Sequence, residues 1–128
     1  MKAAFFLGRA IFGGFFLYNG INHVMKRNAM AQYAAFKGVP SPEAGVIASG
    51  ALMLLGGTSI ITGAKPKWGG LALLAFLSTV SPMMHDFWNA KDEQSGQNDM
   101  IHFSKNMALL GAALALMSVE EPWPASLG

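Results

Sequence analysis

Apolar run length is the strongest constraint on this chain. Ala44 to Ala64 holds twenty-one residues without a charge, and Trp68 to Met84 holds seventeen more. Ala10–Asn22 and Asn106–Val119 are shorter, and each extends past one charge, Arg9 or Lys105. A hydrocarbon core of ~30 Å takes about 20 helical residues to cross. Four spans result, over about residues 3–22, 44–63, 68–85 and 101–119. Arg9 and Lys105 then lie near helix ends, where a long side chain can snorkel to the interface.

Composition agrees. Charged residues make up 12% of the 128 and hydrophobic residues 52%, against a usual charged share of about 25% in soluble domains. A soluble fold this small has much surface relative to core and needs more charge to stay dispersed. The lipid bilayer is therefore the expected partner. The net charge of +2 sits between apolar runs, which points to headgroup contact and not to nucleic acid. There are no cysteines, so disulfides, thiolate metal sites and thiol redox relays are excluded. Arg9 interrupts the first apolar run and no small-x-small site follows it, so this segment reads as a first span and not as a cleaved signal peptide.

Residues 1–128 form one domain, an all-α integral membrane four-helix bundle with up-down topology, because short connections favour antiparallel neighbours. Val39-Pro40-Ser41-Pro42 stops one helix and starts the next, Lys65-Pro66-Lys67 makes a tight turn, and Pro82 kinks or ends the third span. Residues 91–99 are polar, carry Ser95-Gly96 and read as a loop. Met25, Ala29, Tyr33 and Phe36 share a stripe, giving a short interfacial helix or a continuation of the first. Gly13-Gly14, Gly56-Gly57, Gly69-Gly70, the Gly45/Ser49 pair and the Gly111/Ala115 pair are points where backbones can approach in lipid. Counting Lys and Arg on the two sides gives no clear orientation.

With four antiparallel spans, the polar residues collect at one end. The first span brings Asn19 and His23, the third His85, Asp86 and Trp88, the fourth His102, Lys105 and Asn106. Asn19 and His23 are four apart, as are His85 and Asn89 if the helix continues past Pro82, and His102 shares a face with Lys105 and Asn106. Asp86 or Glu43 is the natural partner for Lys105. Polar groups in a span are costly and turn inward. Four chemistries stay open: a haem between two histidines, a metal held with Asp86 or Glu43, a quinone headgroup bonded by His and Lys and stacked on Trp88, Phe87 or Phe103, and a proton path. The plain alternative is a set of interfacial residues wetted by headgroups. No HExxH, CxxC or phosphate-loop motif is present, so no catalytic residue is assigned.

These residues also fall into a pattern. GRAIFGGFFLYNGINH runs from Gly8 to His23, and KGVPSP from Lys37 leads into a helix with a Gly-Gly pair. His85-Asp86-Phe87-Trp88 and HFSKNMALLG from His102 follow in order. The chain resembles the DoxX family of small four-helix membrane proteins over nearly its whole length. The resemblance implies a bacterial cytoplasmic membrane location. It also implies a link to quinone-coupled oxidation, as in a thiosulfate:quinone oxidoreductase and a terminal quinol oxidase, or a role in oxidative-stress complexes or receptor assembly. Two functions follow as expectations. One is a redox-associated protein binding quinone at the polar cluster; the other is a non-catalytic accessory subunit of a larger membrane complex or a homo-oligomer.

Overall fold

The computed structural model describes residues 2–126, with the side chain of Lys2 outside the description. The described residues contain helices and no strand: α1 (Lys2–Met25), α2 (Arg27–Phe36), α3 (Pro42–Thr62), α4 (Pro66–Met84), a single 3-10 turn (Phe87–Asn89) and α5 (Glu93–Met117). Three helices are long and apolar enough to cross a membrane: Ala3–Met25, Pro42–Thr62 and Glu93–Met117. The third expected span, α4, has 19 residues and is not among them, because Lys67, Ser78, Thr79, Ser81 and Pro82 dilute its apolar stretch. Pro82 is accommodated inside the helix, and α4 ends two residues later. His85 is therefore its C-cap, with its backbone N–H on Ser81 O at 3.0 Å, and does not share a helix face with Asn89.

Each long helix packs on the next, α1 on α3, α3 on α4 and α4 on α5, while α2 lies against α3. Backbone contact explains the closeness of the first two pairs. A Cβ on Gly57 would stand 2.7 Å from the Gly13 carbonyl oxygen, and one on Gly13 would stand 2.8 Å from that of Gly57. A Cβ on Gly20 would meet the Gly50 oxygen at 3.1 Å, and one on Gly56 the Gly69 oxygen at 3.0 Å. Gly13/Gly57 and Gly20/Gly50 advance in opposite senses along the two chains, so α1 and α3 are antiparallel. Not every expected small residue is used: a Cβ at Gly111 meets nothing within 4 Å, and one at Gly45 touches Val39 alone, at 3.7 Å. Phe16, Met53, Ile60, Leu73, Leu77 and Trp123 form the buried core.

Two segments differ from the sequence reading. Residues 93–99 are helix, not loop, because Asp92 caps α5: its carboxylate accepts the Ser95 backbone N–H at 2.7 Å, and Glu93 follows in the first turn. A capping acceptor and an acidic first turn favour helix even in polar sequence. Arg9 also does not snorkel. It is 1% exposed. Its guanidinium donates to Ile60 O at 3.1 Å, Ile61 O at 2.8 Å and Ala125 O at 3.3 Å, and to Pro124 O. It also lies over the rings of Phe5 (5.4 Å), Phe6 (5.7 Å) and Trp123 (5.2 Å). The tail after α5 folds back across this end, with Trp123 edge-on to Phe5 at 5.2 Å.

Gly57→Ala and Gly13→Ala should each cost about 1–3 kcal/mol by forcing backbones apart, whereas Gly111→Ala should be neutral or stabilising by up to about 1 kcal/mol. Thermal melting in one detergent compares all three. Arg9→Lys keeps the charge but loses the planar fork that serves four carbonyls, and hydrogen bonds from a charged donor are worth about 1.5–3 kcal/mol. Its melting temperature should fall well below that of wild type, and protease should cut the 119–126 tail first.

Candidate functional site

At the end away from Arg9 the helices leave a cavity of about 690 Å³. Its volume lies in the range of small-molecule sites, about 300–1,000 Å³. The C-terminal half of α1, the first half of α3, the second half of α4, α2 and the middle of α5 line it. The wall is mainly apolar, with Phe15, Phe16, Leu52, Met53, Phe76 and Val80 among its residues. Six of the eight polar-cluster residues expected from sequence are on it: Asn19, His23, His85, His102, Lys105 and Asn106.

Hydrogen bonds fix the rings. His23 Nδ1 is 2.9 Å from the Asn19 carbonyl oxygen. A carbonyl only accepts, so Nδ1 carries the proton and Nε2 is left as an acceptor in the neutral ring. The Asn19 amide donates to Phe15 O at 2.8 Å, which keeps its own oxygen available. His85 Nδ1 lies 3.3 Å from Asp99 Oδ1, and a ring that donates Nδ1–H to that oxygen likewise leaves Nε2 free. His85 and His102 stack at 4.8 Å with 24° between planes. Stacked rings face each other and do not offer two nitrogens to opposite sides of one metal, as a bis-histidine haem requires. Among the described residues no group of three His, Asp or Glu side chains is placed to hold a metal ion.

Lys105 takes a different partner from the one expected. Its ammonium sits 3.5 Å from His102 Nδ1 and 5.5 Å from the centre of the Phe15 ring. Among the described residues it has no carboxylate within ion-pair distance, and Glu43 is exposed. Asp86 is instead bound by Lys37, with Nζ to Oδ1 at 2.7 Å, and the same ammonium reaches Asp99 Oδ2 at 3.3 Å. Asp86 therefore stands behind the cavity wall, not on it. Trp88 is also off the wall. It is 55% exposed and packs edge-on against Phe87 (5.1 Å) and Phe103 (5.8 Å). The aromatic rings that do face the space are Phe15, Phe16, Tyr33 and Phe76.

Lys37 and Asp99 are the residues that sequence reasoning missed. Asp99 is 7% exposed and precedes His102 by three positions, one turn of α5. The Asp92-x-x-Ser95 cap was the signal that this turn is helical. Lys37 ends α2, where Gly38 (φ 82°) turns the chain and its N–H and that of Val39 reach back to Ala35 O and Ala34 O, each at 3.0 Å. It thus ties α2 to the start of α5 and to the turn after α4.

The hydrogen bond from Lys37 holds the Asp86 carboxyl below the usual carboxylate range, and the same bond pushes Lys37 above the usual lysine value. The Asp86 contribution is complete above the unfolded value near ~3.9 and is lost as pH falls through the lower folded value. The Lys37 contribution is complete below ~10.4 and is lost as pH rises through the higher folded value. The tie therefore holds across neutral pH and fails at both extremes. Protection of α2 amides from hydrogen exchange, taken relative to the intrinsic rate at each pH, should fall at acid pH as Asp86 protonates; in Lys37→Met it should already be low at neutral pH and lose most of that acid dependence.

The model for the DoxX family matches residues 4–86. This chain belongs to the DoxX family. With its long apolar helices it is a multi-pass membrane protein. The match covers α1 to α4 with Asn19, His23 and His85, and stops before the part of the wall that α5 supplies. No curated protein and no solved structure matches the chain.

Proposed function

We propose that this protein binds the headgroup of a lipid-soluble quinone in the cavity and serves quinone-coupled redox metabolism in a bacterial cytoplasmic membrane. In this reading α4 crosses the bilayer with α1, α3 and α5 as a four-helix bundle. The observation that carries it is a largely apolar cavity with mixed donors and acceptors on its wall. A quinone presents two carbonyl acceptors, which suit the Lys105 ammonium and the Asn106 amide. A quinol presents two hydroxyl donors, which suit Nε2 of His23 and His85 and the Asn19 oxygen. Both oxidation states can thus be satisfied at one site, and an apolar ring and tail can lie on Phe15, Phe76 and Met53. The apolar wall favours this reading over a set of headgroup-wetted interfacial residues, which would need no cavity.

The test is titration of a short-chain benzoquinone into the purified protein in nanodiscs. Lys105→Met should weaken binding about tenfold or more, since a charge-assisted hydrogen bond is worth about 1.5–3 kcal/mol and 1.4 kcal/mol is tenfold. Ser49→Phe, which fills the cavity from α3, should abolish binding without unfolding the protein. Wild type that shows no saturable binding sinks the reading, and stable co-purification with other chains would then favour the accessory-subunit role.

A further inference from the structure

A polar chain runs from the surface to the cavity wall and is not explained by headgroup binding alone. It begins at Asp86, whose side chain is 25% exposed, passes through Lys37 at 15% and Asp99 at 11%, and ends at His85 at 20%. Successive links are 2.7, 3.3 and 3.3 Å. Asp99, buried, is the second carboxylate on one ammonium, so Lys37 alone does not account for it. Its other oxygen holds His85 Nδ1, the arrangement that orients an imidazole and stabilises its charged form.

We propose that His85 is the proton-donating group for the headgroup held in the cavity, with Asp99 as the positioning residue that orients the ring and balances its charge. The inference rests on the quinone reading above. On binding, Nε2 of His85 takes up one proton from water and donates it as a hydrogen bond to a carbonyl oxygen of the ligand. No bond in the ligand breaks, and the net change is one proton absorbed per molecule bound.

The charges around the ring agree with this. The ring has the Asp99 carboxylate on one side and the stacked His102 ring on the other, with the Lys105 ammonium beyond His102. Among the described residues no acceptor stands at Nε2 of the free ring, so a second proton has no partner there. Lys37 and Asp86 stand behind Asp99, His23 of α1 shares the cavity wall, and Glu43 of α3 is exposed and off it. The ligand's carbonyl adds the acceptor that shifts the balance to imidazolium.

Calorimetric titration of short-chain benzoquinone into the full chain in nanodiscs, repeated in two buffers of different ionisation enthalpy, counts the protons. Uptake should approach one per ligand above the free His85 value and fade at acid pH. Over that upper range affinity should fall about tenfold per pH unit. Asp99→Asn should move this limb to lower pH by about one to three units, and His85→Gln should bind with no proton uptake. Lys37→Met loosens α2 but leaves His85 on Asp99 and removes a competing cation, so proton uptake should persist and its limb should stay or move to higher pH, opposite to Asp99→Asn. If Lys37→Met instead reproduces Asp99→Asn, Asp99 serves only to fasten α2 and the proposal is overturned. Saturable binding by wild type with no proton uptake at any pH overturns it too, and leaves the quinone reading standing. Absence of saturable binding removes both.

Discussion

Contact between helix backbones along α3 sets the rest of the structure. Lipid gives apolar helices little reason to prefer one another over acyl chains, so close approach and backbone dispersion must supply it. Gly50 and Gly57 let α1 settle on one side of α3, and Gly56 lets α4 settle on the other. These contacts lie in the middle of α3 and toward its C-terminal end. Toward its N-terminal end the corresponding positions, Gly45 and Ser49, face the cavity. Tight packing at one level and open space at the other are thus a single distribution of small residues along one helix.

The two ends of the molecule handle charge in opposite ways. At the closed end one guanidinium is surrounded by carbonyls and rings, with its hydrogen bonds made to backbone oxygen. At the open end charge is shared among side chains: one ammonium bridges two carboxylates, and a second ammonium, Lys105, faces a ring and an imidazole. The first arrangement has fixed charges and suits structure. The second contains groups that titrate and that face a cavity, and it suits chemistry.

Much of this was legible in the sequence, for identifiable reasons. Long apolar runs locate α1 and α3, and up-down order alone gathers the histidines and asparagines at one level. What failed depended on partners remote in sequence. One arginine in an apolar helix looks like an interfacial anchor until a tail more than a hundred residues away folds back onto it. Residues 93–99 look like a loop because polarity outweighs a cap whose partners are three residues apart. That error hid Asp99, and so the match between Asp86 and Lys37. Trp88 was placed at the site by its neighbours in sequence, but the chain turns after His85 and carries it to an aromatic cluster outside. The apolar run of α4 also looked long enough to stand beside the others, while its serines, threonine and proline leave it weaker than the three that pass by length and hydropathy.

The packing order leaves one seam open. Among the described residues α1 and α5 are the ends of the series, with no extended packing of one on the other, and Lys105 over Phe15 is a contact that reaches across. The opposite end is stopped by the folded-back tail. On the quinone reading proposed above, a ligand dissolved in the acyl phase would reach such a gap sideways, without passing through water. Such a molecule is enriched in the bilayer far above its aqueous concentration. On that reading occupancy would follow the membrane pool and not the aqueous one, and modest affinity would suffice.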